Sequence, residues 1–210
     1  VRNYLFDLDG LLINSEELYL AANKVYFSKF GFDFTETLHK QGTGKKFADW
    51  IKTVTDIDLD GQTILQERNK VYFELAETKL KLLPGSKEVL EYSKAHGKTA
   101  LVTSSNQDYV DFVFNHTGIA KYFDIVIAGD HVTKGKPDPE GYLMAARLLE
   151  VEPSSCVVFE DAPNGVEAGK NAGMKVVAVP SPFVKGDTVF ETADLLLDTL
   201  TDYVSNEGKL

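Results

Sequence analysis

The chain has 210 residues, enough for one large domain or for a core with a small insert. Hydrophobic residues make up 43%, which supplies a core and argues against disorder. A formal net charge of −10 makes nucleic acid a poor partner, because phosphate contacts need clustered Lys and Arg.

A lone cysteine, Cys156, leaves no internal disulfide framework, and its apolar neighbours mark it as a small buried hydrophobe. No apolar run approaches the ~20 residues of a membrane span, and no leader-like segment opens the chain. No membrane contact is expected, and the expected protein is cytoplasmic and monomeric.

Residues 3–8 read as a first strand, an apolar run that ends in Asp7-Leu8-Asp9-Gly10. Asn14 and Ser15 are expected to cap a helix reaching about Lys29, with Glu16 and Glu17 in its first turn and Gly31 ending it. Residues 36–80 are helical in pattern: Phe47, Trp50, Ile51 and Val54 fall at i, i+3, i+4 and i+7, and Ile64 to Leu80 forms a longer amphipathic segment. No strand is expected between 15 and 80, so this stretch reads as a helical insert.

After Pro84-Gly85 the pattern alternates. A helix at 86–96 precedes a strand at 98–103; a helix at 106–117 precedes a strand at 125–129. Asp138 and Pro139 read as N-cap and first helical position of a helix to Glu150. A strand at 156–160, a helix at 163–172 stopped by Gly173, a strand at 175–179 and a short strand at 195–197 follow. Alternating strands and helices predict an α/β fold, a doubly wound parallel-sheet core with helices on both faces. The expected core spans 1–13 and 83–210, with an inserted all-α cap at 14–82.

The chemistry lies at the strand ends. The first strand presents Asp7 and Asp9, two acids on one side of a strand. The second presents Thr103, followed by Ser104, Ser105 and Asn106 opening a helix. Lys136-Pro137 precedes the next helix, and Glu160-Asp161 closes another apolar strand. In a parallel sheet these all lie on one rim, where open α/β sheets bind ligands. Thr103, the amides around Ser104 and Asn106, and Lys136 are suited to phosphate. Asp7, Asp9 through its backbone carbonyl, Glu160 and Asp161 are oxygen ligands suited to Mg²⁺. Each short motif alone is commonplace, since Asp-x-Asp-Gly and Asn-Gly clusters occur in turns and Thr103 alone reads as a helix cap. Their order and common position carry the argument.

The set Asp7-x-Asp9-Gly10, Thr103, Lys136-Pro137 and Glu160-Asp161 resembles the haloacid dehalogenase superfamily of phosphohydrolases. The run from Val158 to Ala168 is similar to its β-phosphoglucomutase and sugar-phosphatase branch, and residues 14–80 look like its helical C1 cap. The resemblance implies a Mg²⁺-dependent phosphomonoesterase of a small phosphorylated metabolite such as a sugar phosphate. Asp7 would be the nucleophile that forms an aspartyl-phosphate, Asp9 the general acid and base, and Thr103 and Lys136 the stabilisers of the transferring group. Cap contacts to substrate are expected from Ser15, Glu16, Tyr19 and the turn Gly42-Thr43-Gly44-Lys45-Lys46, with Lys45 or Lys46 as the charged group. His39, His96, His116 and His131 show no metal-ligand spacing, and Trp50 reads as cap core.

The alternative is a β-phosphoglucomutase-like phosphosugar mutase. Such mutases carry a histidine on the first cap helix where this chain has Tyr19, a departure that favours hydrolysis. A non-catalytic phospho-ligand binder would need neither Asp7 nor Asp9, and the dehalogenase reaction would not need the Glu160-Asp161 pair.

Overall fold

The computed structural model describes residues 2–43 and 45–205. It divides into two compact units, one of Val1–Ile13 with Lys81–Leu210 and one of Asn14–Leu80. Lys81 and Leu82, assigned to the cap from the sequence, fall with the larger unit: Ile13 bridges Leu82, and the Leu83 amide donates to the Leu12 carbonyl at 2.9 Å.

The larger unit is built on six strands: β1 (Asn3–Phe6), β2 (Thr99–Val102), β3 (Ile125–Ile127), β4 (Cys156–Glu160), β5 (Lys175–Ala178) and β6 (Leu195–Leu196). All pair in parallel, in the order β3-β2-β1-β4-β5-β6. β1, β2 and β4 are buried along their whole length, so they read as continuous apolar runs and not as alternating ones. The helices of this unit are α5 (Ser86–His96), α6 (Gln107–Thr117), α7 (Glu140–Leu148), α8 (Pro163–Asn171) and α9 (Leu200–Ser205). The core joins Leu5, Val102, Val158 and Val176 of the sheet to Tyr142 and Ala145 of α7 and Val166 and Ala168 of α8.

The strands are a residue or two shorter than their apolar runs. β1 stops at Phe6, although the Asp7 amide still donates to Phe159, because the chain turns at Gly10, whose φ is +77°. The expected cap at Asp138-Pro139 also shifts. α7 begins at Glu140, whose amide donates to Asp138 Oδ1 at 3.0 Å. The carboxylate still satisfies a first-turn amide, from just outside the helix.

The two edge strands share one device. Asp124, preceding β3, accepts from the Thr99 amide at the start of β2 and pairs with Lys94 of α5. Asp194, preceding β6, accepts from the Val176 amide of β5 and pairs with Lys170 of α8 at 2.8 Å. Each carboxylate pins strand to strand and strand to helix.

The smaller unit contains α1 (Ser15–Ser28), α2 (Glu36–Gly42), α3 (Phe47–Ile51) and α4 (Gly61–Lys79), and no strand among its described residues. α1 and α4 pack together through a stack of Tyr19 on Tyr72 and a hydrogen bond from the Tyr26 hydroxyl to Glu67. Phe27, Phe34 and Trp50 extend this core. Asn14 does not cap α1 with its side chain. Its Nδ2 donates to the Lys79 carbonyl at 3.2 Å, joining the two ends of the insert. Gly44, part of the expected substrate turn, lies outside the described residues.

Candidate active site

The carboxyl ends of β1 and β4 lie side by side because Phe6 is in register with Phe159. That register brings Asp7 to the Glu160-Asp161 pair. The three carboxylates are 7%, 1% and 4% exposed and offer oxygens within 4.8 Å of one another. Lys136 enters from the loop before α7. Its Nζ donates to Asp7 Oδ1 at 2.6 Å, to Glu160 Oε1 at 2.5 Å and to the Val102 carbonyl at 3.0 Å.

Two residues that sequence reasoning missed hold Glu160 in place. The buried Tyr142 hydroxyl donates to Glu160 Oε1 at 2.6 Å. Gly165, in the first turn of α8, leaves room for the carboxylate: a Cβ there would stand 1.9 Å from Glu160 Cδ. Glu160 Oε2 accepts from the Asp161 amide at 3.2 Å, so both of its oxygens have protein donors. In sequence Tyr142 is one more apolar position on an amphipathic helix, and nothing there signals its hydroxyl.

Electrostatics follow from burial. Burial pushes the Asp7 carboxyl up to about 8, against the pull of Lys136 and helped by Glu160 and Asp9. Burial opposes the Lys136 ammonium, but Asp7 and Glu160 outweigh it and hold it well above the ordinary lysine value. Three carboxylates around one ammonium leave a surplus of buried negative charge, which is costly unless a proton or cation offsets it. The all-oxygen donor set therefore fits a hard divalent cation.

Asp9 stands slightly apart, half-buried and outside the carboxylate cluster. Its Oδ2 accepts from the Ser105 hydroxyl at 2.7 Å and its Oδ1 from the Tyr109 hydroxyl at 3.1 Å. Thr103 is buried, with its Oγ1 accepting from the Ser105 amide at 3.1 Å, so its own O–H proton remains to donate. Ser104 is exposed on the same turn. Asn106 is the N-cap of α6: its side chain accepts from the Tyr109 amide at 3.0 Å and is committed to the helix.

Residues 4–179 match the family model described as haloacid dehalogenase-like hydrolase. The chain belongs to this family. A phosphorylated carbohydrates phosphatase of Thermotoga maritima is 35% identical over 179 residues, covering 81% of each chain. Fructose-1-phosphate phosphatase YqaB of Escherichia coli is 30% identical over 180 residues, covering 83% of this chain and 94% of that one. Among solved structures, one from Thermotoga maritima, provisionally described as a beta-phosphoglucomutase, superposes with a TM-score of 0.85. It is 30% identical and covers 99% of this chain and 98% of that one. The protein is a haloacid dehalogenase-family phosphatase of the sugar-phosphatase-like branch.

The smaller unit of this family member holds a pocket of its own. A cavity of about 220 Å³ is lined by Glu16, Tyr19, Gly42, Thr43 and Lys45 of the expected substrate residues. Ser15 is fully buried and Lys46 exposed, and neither lines the cavity. His39, Asn23 and Arg68, which the sequence reading did not single out as ligands, do line it. His39 is buried and its Nε2 lies 3.1 Å from Glu16 Oε2. Trp50 serves both as core and as pocket wall.

Proposed function

We propose that this phosphatase hydrolyses the monoester of a small phosphorylated metabolite through an aspartyl-phosphate on Asp7, with Mg²⁺ as its cation. The observation that carries the reading is Asp7 itself: a buried carboxylate beside Lys136, Glu160 and Asp161, with Asp9 two residues on. Lys136 holds Asp7 Oδ1, which leaves Oδ2 to attack phosphorus. Asp9, oriented by Ser105 and Tyr109, protonates the departing ester oxygen as the P–O bond breaks. It then takes a proton from the water that attacks the acyl phosphate, releasing inorganic phosphate and restoring Asp7. The Thr103 hydroxyl, the amides of the turn at Ser104, and Lys136 bear the charge of the phosphoryl oxygens.

Asp7, Asp161, the Asp9 carbonyl and Glu160, directly or through water, would hold Mg²⁺. The cation would offset the negative charge shared by carboxylate and phosphate. Glu16, Tyr19 and Lys45 are the cap residues proposed to select the substrate. The mutase reading is not favoured: Tyr19 occupies the position of the mutase histidine, and its ring is stacked on Tyr72 at 4.1 Å.

The test is Mg²⁺-dependent phosphate release across sugar phosphates, nucleotides, glycerol phosphates and pyrophosphate, with Asp7→Asn alongside. Release that disappears with EDTA and in the variant is the expected result. Release that survives in Asp7→Asn would overturn the assignment of the nucleophile. Conversion of a sugar 1-phosphate to its 6-phosphate without net release would restore the mutase.

A further inference from the structure

The loop that carries Lys136 runs from the end of β3 at Ile127 to the start of α7 at Glu140, with a 3₁₀ turn at Gly129–His131. Thr133, Lys134 and Gly135 are exposed. Packing holds this loop poorly. A cavity of about 80 Å³ is lined by Val102, Ile127 and Gly141 of the core and by Val132, Gly135 and Lys136 of the loop.

Glu140 closes the loop on itself. Its Oε1 accepts from the Thr133 amide at 2.9 Å, and its Oε2 accepts from the Thr133 hydroxyl at 2.8 Å and the Lys134 amide at 2.9 Å. The Thr133 amide, then the Thr133 hydroxyl, then the Lys134 amide hold its carboxyl below the usual carboxylate range. Within the ring so formed, the Asp138 amide donates to the Gly135 carbonyl at 3.0 Å. From α8, Asn171 donates to the Pro137 carbonyl at 3.3 Å. Lys136 lies between these ties.

An acid in the first turn of a helix ordinarily serves that helix, through its charge and by accepting from a first-turn amide. Here Asp138 accepts from the Glu140 amide, and both Glu140 oxygens are engaged by the loop. Hydrogen bonds to an ionised acceptor are about twice as strong as neutral ones. The carboxylate is therefore the firmest tie on a loop that borders a void.

Lysine is a point charge on a flexible stem. The Lys136 ammonium is set from one end by Asp7, Glu160 and the Val102 carbonyl, and from the other by where its backbone stands. In the proposed reaction Asp7 becomes an acyl phosphate, so one of the three acceptors changes in every turnover. The backbone end has to keep the ammonium in place through that change.

We propose that Glu140 is a positioning residue, whose carboxylate clasps the Thr133-Lys134 backbone and thereby fixes Lys136 for phosphoryl transfer. This deepens the aspartyl-phosphate reading and rests on it for the role of Lys136.

The test uses the full chain with Mg²⁺ and p-nitrophenyl phosphate. Glu140→Ala should lower kcat by about tenfold or more, because a misplacement of about 1 Å costs up to about a hundredfold. Glu140→Gln, which keeps one acceptor oxygen, should lose less. In a Lys136→Ala background the further change Glu140→Ala should alter kcat by less than about twofold, the mark of two residues that act as one. Lys136→Met supplies the background should Lys136→Ala not fold. A loss of the same factor in both backgrounds would show a merely structural role and overturn the proposal, as would an unchanged kcat in Glu140→Ala. Amide hydrogen exchange reads the clasp without turnover. The Thr133 and Lys134 amides should be protected in the wild type and released in Glu140→Ala, and free exchange of both in the wild type would overturn the clasp itself. A wild type that hydrolyses no ester, or a Lys136 variant with full kcat, would sink the catalytic reading and the positioning role with it. A low kcat in the Lys136 variant beside a full kcat in Glu140→Ala would sink the positioning role alone.

Discussion

Lys136 stands between Asp7 and Glu160, and its removal would leave the buried Glu160 carboxylate with no counter-charge beside Asp7. Lys136→Ala is expected to lose about 3–5 kcal/mol of stability in urea unfolding, the cost of breaking a buried ion pair from one side. It should also lower kcat by roughly a hundredfold or more through lost stabilisation of the phosphoryl group. A loss below about 1 kcal/mol would mean that the cluster is already neutral without the lysine. Asp7 adds a pH dependence. Its carboxyl is raised from 3.8 to about 8, so the metal-free native state holds a proton that the unfolded chain releases. The stability from that proton is full below pH 4 and is lost as pH rises toward 8. Mg²⁺ takes the place of the proton, so it should raise the melting temperature more at pH 8 than at pH 6. Melts in EDTA and in Mg²⁺ at both values check this, and an equal shift at both would refute it.

Among the elements, α8 shows how a helix can be built around a neighbour's side chain. Alanine at Gly165 would improve helix propensity by about 1 kcal/mol, yet its Cβ would overlap the Glu160 carboxylate. Gly165→Ala is therefore expected to reduce stability by about 1–3 kcal/mol and to lower kcat by at least about tenfold, as Glu160 turns away from Lys136. Unchanged activity in the folded variant would show that Glu160 has another way to stand. This element also marks the limit of legibility. Asp7, Thr103 and Glu160 stand out in the sequence because each follows or ends an apolar run, and Lys136 because it sits in the Gly-Lys-Pro-Asp-Pro loop before a helix. Tyr142, Tyr109 and Gly165 act across the fold from within helices, where their spacing says only amphipathic or small. Arg68 was hidden in the same way: on a helix full of charges, only packing shows which one is buried. Asn14 and Asn106 both precede a helix, yet only Asn106 caps with its side chain, because the Asn14 amide donates instead to the Lys79 carbonyl.

At the scale of the molecule, a parallel sheet has to be held in register by more than its short ladders. Asp124 and Asp194 do this at both edges. Burial raises the pKa of each, but the paired lysine and the strand amide outweigh it and leave the carboxyl below the usual range. Their contribution is present above pH 4 and is lost as pH falls through the lowered values. The double variant Asp124→Asn, Asp194→Asn should therefore be less stable at pH 7 and show a flatter decline between pH 4 and pH 2 than the wild type. Parallel acid-unfolding curves would refute this.

The same two strands have a consequence outside the folded chain. β3 is three residues long and β6 two, and each is preceded by an aspartate tied to a lysine. Any second polypeptide trying to extend the sheet would find a template too short for more than a bond or two, beside charged groups that resist dehydration. A core this rich in valine, leucine and phenylalanine strands would be a hazard for fibril growth if its rims were long and flat. The brevity of the outer strands acts as a guard against that fate.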